Sequence, residues 1–312
     1  MAGFASIRRT YIENGSAAVI SKGLQRARLV MSATWAASHA HRIDIDGLAL
    51  KVKVQHQTTG LLGWKTDWKT SLIGLMLGAR GGPFVDVGAN VGQTLLDYLA
   101  APRKHGYIAF EPMHACLEQL HRLVDDNRLD DCTVVPCALS DGNMLLDIYR
   151  HHEKSADPGA TTVCGLRPDR NVVADLIPSY RFDDIRGRIR PAGAIGVIKI
   201  DVEGAELPVI RGMERTIRTD RPWILCEVLD RDTLADAEVH NARAEELRDT
   251  MHGLGYAILR VQKSKDQTRV IGLEPISTFP SRVYDEAHCD ECDYLFVPAD
   301  QTDAARAAIL AH

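Results

Sequence analysis

Phe84-Val85-Asp86-Val87-Gly88-Ala89-Asn90-Val91-Gly92-Gln93-Thr94 reads as an apolar strand that ends in an acid, turns on glycines and enters a helix. Gly88 and Gly92 permit positive φ or close approach of a ligand to the backbone, and Asn90 tolerates the same dihedrals. Asp86 is expected to face a ligand at the carboxyl edge of a parallel sheet. A second strand, Tyr107-Ile108-Ala109-Phe110, ends in Glu111, 25 residues after Asp86, where an acid can take both hydroxyls of a ribose. The glycine spacing is G-x-x-x-G and not G-x-G-x-x-G, so the pyrophosphate-gripping fingerprint of dinucleotide folds is missing.

An adenosyl ligand without phosphates fits such a turn, and S-adenosylmethionine is one. A merely tight βα turn would need the glycines but not the acid after the second strand. A third motif goes further still: Val197-Ile198-Lys199-Ile200-Asp201-Val202-Glu203-Gly204-Ala205-Glu206 again delivers acids to the end of an apolar strand. With these residues in view the chain resembles the FkbM-type family of S-adenosylmethionine-dependent methyltransferases. Asp86 to Gly92, Phe110-Glu111-Pro112, Ala138-Leu139-Ser140-Asp141 and Lys199 to Glu206 follow the family's four motifs in order, so the resemblance covers about residues 80 to 300. Tyr180-Arg181-Phe182-Asp183-Asp184 departs from the family's threonine-leucine-aspartate-aspartate segment in all but its acids.

The resemblance implies an α/β fold of the class I methyltransferase, Rossmann-like type, with a seven-stranded sheet in the order 3-2-1-4-5-7-6 and the last strand antiparallel. It implies cofactor contacts from Asp86, Gly88, Ala89, Asn90, Gly92, Glu111, Pro112, Ala138 and Ser140. The expected division is a helical and strand extension over 1–79, a cofactor-binding domain over 80–300 and a helical tail over 301–312. Strands are expected near 83–87, 106–110, 133–137, 195–200, 222–228, 256–261 and 293–298, alternating with helices in the manner of a parallel sheet. Met113 to Arg128 has Met113, Leu117, Leu120 and Val124 at helical spacing and so should face that sheet.

A chain of 312 residues with 45% hydrophobic content can bury a large core. Its formal charge of −5 provides no general basic footprint, which speaks against a nucleic-acid partner. Seven cysteines, an odd number in a chain too long to need staples, read as reduced thiols of a cytoplasmic protein. No apolar run approaches the roughly 18 residues of a membrane span. Residues 1–42 carry Arg8, Arg9, Lys22, Arg26, Arg28 and Arg42 against Glu13 alone. They read as an arm packed on the domain or on a second subunit of a homodimer, as an interfacial helix touching a membrane, or as a targeting segment.

The alternation of Leu48, Leu50, Val52 and Val54 within 43–57 has the period of one half-buried strand. Leu61 to Leu77 reads as a loop and helix, with Trp64 and Trp68 as helical neighbours in the core or in a substrate pocket. Between about 144 and 194 the alternation lapses. Leu145 to Arg150 is strand-like, and His151 to Arg170, with His152, Lys154 and Arg167, is the expected acceptor-recognition insertion. Cys289-Asp290-Glu291-Cys292, beside His288, has C-x-x-C spacing but no second pair to complete a zinc site, so no metal ligands are assigned.

Methyl transfer needs an in-line nucleophile and, for a hydroxyl acceptor, a base. Asp201 is the first choice, as base or as the acid orienting a divalent cation, with Lys199 as its charge partner and Glu203 next. Glu206 suits the positive start of the following helix better than catalysis. Glu227, ending Trp223-Ile224-Leu225-Cys226, is a further acid at the same edge. The function expected is O-methylation of a small molecule or glycan. N-methylation, a nicotinamide oxidoreductase and a non-catalytic adenosyl-binding module are the alternatives.

Overall fold

The structure, a computed structural model, describes residues 40–45, 47–53, 61, 63–102, 104–151, 156–164, 166, 173–230, 237–281 and 291–311. Residues 43–53 do not form one strand. β1 (Ala40–Ile45) and β2 (Leu48–Lys53) make an antiparallel hairpin that turns at Gly47, whose φ is 86°. The alternation is real within β2, where Leu50 and Val52 are buried and Leu48 is exposed, but a glycine with positive φ folds the segment back on itself.

Helix α1 (Trp68–Arg80) starts at a capping box: Asp67 accepts from the backbone N–H of Lys69 and Thr70, and Thr70 Oγ1 accepts from Asp67 N. Trp64 therefore lies in the loop before the helix and is no helical neighbour of Trp68. The chain then enters β3 (Phe84–Val87), α2 (Gln93–Ala100), β4 (Tyr107–Phe110), α3 (His114–Asn127) and β5 (Cys132–Val135). A small sheet of β6 (Ala138–Leu139), β7 (Met144–Arg150) and β8 (Val173–Tyr180) follows, in the order β6-β8-β7. Next come α4 (Phe182–Ile185), β9 (Val197–Ile200), α5 (Glu206–Gly212), α6 (Glu214–Asp220), β10 (Trp223–Glu227), α7 (Ala237–Gly253), β11 (Tyr256–Lys263), β12 (Val270–Pro275), β13 (Asp293–Pro298) and α8 (Thr302–Leu310).

The main sheet has eight strands in the order β5-β4-β3-β9-β10-β13-β11-β12. Where the sequence reading counts seven, β12 adds an edge, paired antiparallel to β11. The five strands β5, β4, β3, β9 and β10 run parallel, whereas β13 is antiparallel to both of its neighbours. Parallel strands are covered on both faces. One face carries Leu72, Met76, Leu95, Leu120 and Ile309 from α1, α2, α3 and α8; the other carries Val209, Ile217, Leu247 and Met251 from α5, α6 and α7. Asp183 gains a structural role here, because its carboxylate accepts from Arg215 N, Thr216 N and Thr216 Oγ1 at the start of α6.

The chain leaves β3 toward β4 and β5, then returns to the opposite side of β3 as β9 and β10. The carboxyl ends of β3 and β9 thus flank a topological switch point, the place where open α/β sheets leave a crevice.

Candidate active site

The turn after β3 is pressed against the end of β9. Gly88 has φ 81°, and a Cβ there would stand 1.9 Å from the backbone oxygen of Asp201. Asp201 N in turn donates to Val87 O at 3.1 Å. Gly92, at φ 99°, precedes α2 and packs on Leu120 and Leu123. Its role is close packing of turn on helix. Gly92 lines neither of the two cavities that meet at Gly88.

The first cavity lies over β3, β4 and the turn after β9. Gly88, Asn90, Glu111, Pro112, Ala138, Asp201 and Glu203 line it, with apolar walls from Met113, Leu139 and Ile148. Glu111 is 5% exposed, and its two oxygens accept from Asn90 N at 2.9 Å and Met113 N at 2.8 Å. Burial pushes its carboxyl up to about 7 although both backbone bonds oppose that shift.

The second cavity is bounded by Gly88, Ala89 and Asn90, by Gln93 and Thr94 of α2, and by the segment around the start of α1. Its ionisable lining is three lysines, Lys65, Lys69 and Lys199, and three acids, Asp67, Asp97 and Asp201. Asp97 accepts from Trp64 Nε1 at 3.0 Å and Thr70 Oγ1 at 2.7 Å, which holds the indole at the cavity wall. Gly88, Asn90 and Asp201 belong to both cavities.

Asp86 faces neither cavity. It is fully buried, accepts from Tyr107 Oη and pairs with Lys199 Nζ at 3.2 Å. The reason is the sheet: β3 lies between β4 and β9, and Asp86 points to the face where Tyr107 and Lys199 converge. Lys199 also meets Asp201 Oδ2 at 3.2 Å and donates to Gly88 O at 3.0 Å, so one buried ammonium ties two acids and the turn together. Burial opposes charge on Lys199, but Asp201 and Asp86 outweigh it and raise its pKa. For Asp201 burial works toward protonation, and the charges of Lys199 and Lys69 win, holding its carboxyl below the usual range.

Further along the same edge, Ile200 is in register with Cys226, so Asp201 and Glu227 are adjacent strand ends, and Glu227 is directly opposite Asp293 of β13. Lys263 of β11 pairs with Asp293 at 2.5 Å. Glu203, with φ 52°, takes a left-handed conformation unusual for a side-chain-bearing residue; its carbonyl accepts from Thr161 Oγ1 at 2.6 Å. Glu206 begins α5 and accepts from Gly204 N at 2.8 Å, the helix-start role the sequence favours.

Of the insertion, the described part sits against the first cavity: Asp157, Pro158, Ala160 and Thr162 line it beside Glu111. Asp157 is buried and accepts from His151 N and Gly159 N, shaping the turn that closes this wall. The described residues of the insertion thus reach the carboxyl edge of the sheet, while His152, Lys154, Arg167 and Arg170 lie outside the described residues. Ser140 is buried beneath the cavity and donates to Asp141, whereas Ala138 reaches the lining. The basic segment 1–39 and Cys289 with His288 also lie outside; Cys292 is buried. Sequence reasoning missed Lys69, Asp97, Asp157 and Asp293, which no motif flags because chain packing brings them to the edge. Among the described residues no group of three or more His, Cys, Asp or Glu is placed to hold a metal ion, and no helix is long and apolar enough to cross a membrane.

Residues 86–258 match the family model described as "Methyltransferase FkbM domain". A protein of Beauveria bassiana (strain ARSEF 2860) named Methyltransferase 1 is 24% identical over 159 residues, covering 46% of this chain and 61% of that protein. Among solved structures, a methyltransferase FkbM of Methylobacillus flagellatus KT is similar with a TM-score of 0.38 and 21% identity, over 61% of this chain and 42% of that one. Fibrillarin of Aeropyrum pernix, solved with natively bound S-adenosyl-L-methionine, is similar with a TM-score of 0.39 and 12% identity, over 84% and 83% of the two chains. The match thus spans under two thirds of the length of the Beauveria protein and of the Methylobacillus chain.

Proposed function

We propose that this chain, which belongs to the family defined by the methyltransferase FkbM domain, transfers a methyl group from S-adenosylmethionine to a hydroxyl of a small molecule or glycan. The observation that carries this reading is the meeting of two unlike cavities at Gly88, Asn90 and Asp201. The first sets Glu111 beside apolar walls, which suits a nucleoside: Glu111 for the ribose, Met113, Leu139 and Ile148 for the base, with Asp157, Asp201 and Glu203 completing the lining. The second has equal numbers of cations and anions, which suits the zwitterionic amino-acid end of the same molecule. The donor set fits the group.

When bound, S-adenosylmethionine supplies an electrophilic methyl. Asp201, at the junction, accepts the hydrogen bond of the acceptor hydroxyl and takes its proton as the oxygen attacks. Lys199 keeps Asp201 ionised and, by its bond to Gly88 O, holds the turn in place. The wall around Asp157 excludes water from the nucleoside side. Calorimetry with S-adenosylhomocysteine tests the seat. Glu111→Ala should weaken binding roughly tenfold or more, the worth of a hydrogen bond to a charged group. Equal affinity in wild type and variant, or tighter binding of NAD, would remove this reading.

A further inference from the structure

The acids after β9, at the end of β10 and at the start of β13 stand side by side, but they are not equivalent. Asp201 has Lys199 at 3.2 Å, and Asp293 has Lys263 at 2.5 Å. Glu227, between them, is half-buried, is hydrogen-bonded to Asp201, and stands opposite Asp293 in the strand register. Along the edge the order is Asp86, Lys199, Asp201, Glu227, Asp293, Lys263, with a cation beside each outer acid of the triplet. Two carboxyls that share a hydrogen bond need a proton between them, and that proton rests on the member whose other neighbour is also an anion.

We propose that Glu227 is a positioning residue: a neutral carboxylic acid whose O–H donates to Asp201 and fixes the orientation of that carboxylate toward the acceptor. The orientation rests on the methyl-transfer reading of the crevice; the protonation of Glu227 does not. The charges acting on Glu227 are Asp201 after β9, Glu203 in the turn beyond it and Asp293 of β13; the nearby lysines face those neighbours instead, Lys199 and Lys69 acting on Asp201 and Lys263 pairing with Asp293. The balance disfavours its charge, because Asp201 first, then burial, then Asp293 all raise its pKa.

Infrared difference spectra of the whole chain from neutral to alkaline pH test this. The wild type should show a protonated carboxylic C=O band that persists at neutral pH and vanishes only in alkali; Glu227→Gln should lack it. Glu111 and Glu206, also shifted upward, keep their own bands in that variant. Asp201→Asn removes one flanking anion and should lower the pH at which the Glu227 band vanishes by about one unit or more. Asp293→Asn acts from the other flank and should shift it the same way, which serves if Glu227→Gln fails to fold. For orientation, the carboxylate stretch lost in Asp201→Asn should move in Glu227→Ala and return in Glu227→Gln, since the glutamine amide also donates. A Glu227→Gln spectrum that keeps every protonated band, or an Asp201 band indifferent to Glu227→Ala, would overturn the proposal. S-adenosylhomocysteine calorimetry separates the two readings. No binding with all band changes present removes the cofactor reading and leaves the Glu227–Asp201 pair, while binding without band changes removes the pair alone.

Discussion

Left of the switch point, just after β4, a buried carboxyl is held by two backbone N–H groups; right of it, just after β9, a half-buried carboxylate is paired with Lys199 and feels the charge of Lys69. Backbone amides carry no net charge, so Glu111 is pushed up by burial to about 7. Lysine does carry charge, so Asp201 stays ionised below the usual range. On the proposed reading, the nucleoside side has an acid that titrates near neutrality, and the acceptor side has one whose charge is constant there. Binding can tolerate a titrating group. On that reading Asp201 starts every turnover ionised, and the lowered pKa that ensures this also lowers its proton affinity.

The sharpest way to break this contrast is at Asp201. Asp201→Asn keeps the shape and should leave S-adenosylhomocysteine affinity nearly unchanged, while the rate of transfer from methyl-labelled S-adenosylmethionine falls by roughly 10²–10⁴. Because the Asp201 pKa is lowered, the wild-type rate should be lost only in acid, as pH drops through that value and the carboxylate is neutralised. A fully active variant would take the acid–base role from Asp201. Next in size is the cation. Lys199→Met strands the fully buried Asp86 without its ammonium, and removal of one partner of a buried pair costs about 3–5 kcal/mol. Adding Asp86→Asn should restore part of it, because the uncompensated charge goes too. Urea unfolding reads both variants, and a Lys199→Met loss under about 1 kcal/mol would mean that Lys199 organises nothing.

What was legible in the sequence follows the same division. Strand ends announce themselves locally: Glu111, Asp201 and Glu227 each close a short apolar run and Asp86 lies one residue inside its own, and all four runs are strands of the main sheet. Which way those side chains point does not show. Asp86 has the same sequence surroundings as a ligand-facing acid, yet the placement of β3 between β4 and β9 turns it toward Tyr107 and Lys199. The β1–β2 hairpin was hidden because its alternation runs straight into the Gly47 turn. The eighth strand was hidden because β12 is an edge, with Leu273 buried but Ile271 57% exposed, so its apolar pattern is weak. Lys69, Asp97 and Asp293 reach the edge only through packing of α1, α2 and β13 on the sheet. Such long-range contacts leave no local period.

The smallest effect sharpens the contrast from the other side. Between the ordinary glutamate value of 4.5 and its folded value of about 7, Glu111 binds more protons in the native state than in the unfolded one, so its contribution to stability declines as pH rises through that window. Ribose hydroxyls donate, and they donate better to a carboxylate than to a carboxylic acid, so ligand binding should run the opposite way. S-adenosylhomocysteine affinity is expected to rise as pH climbs through about 7, by less than tenfold per pH unit since one proton at most is released. Glu111→Gln cannot titrate and should flatten that dependence, at a lower affinity throughout. Calorimetry in buffers of different ionisation enthalpy counts the proton directly. If the wild type releases none at neutral pH, Glu111 is already ionised beneath its two amides, and the distinction between an acid held by backbone and an acid held by lysine collapses.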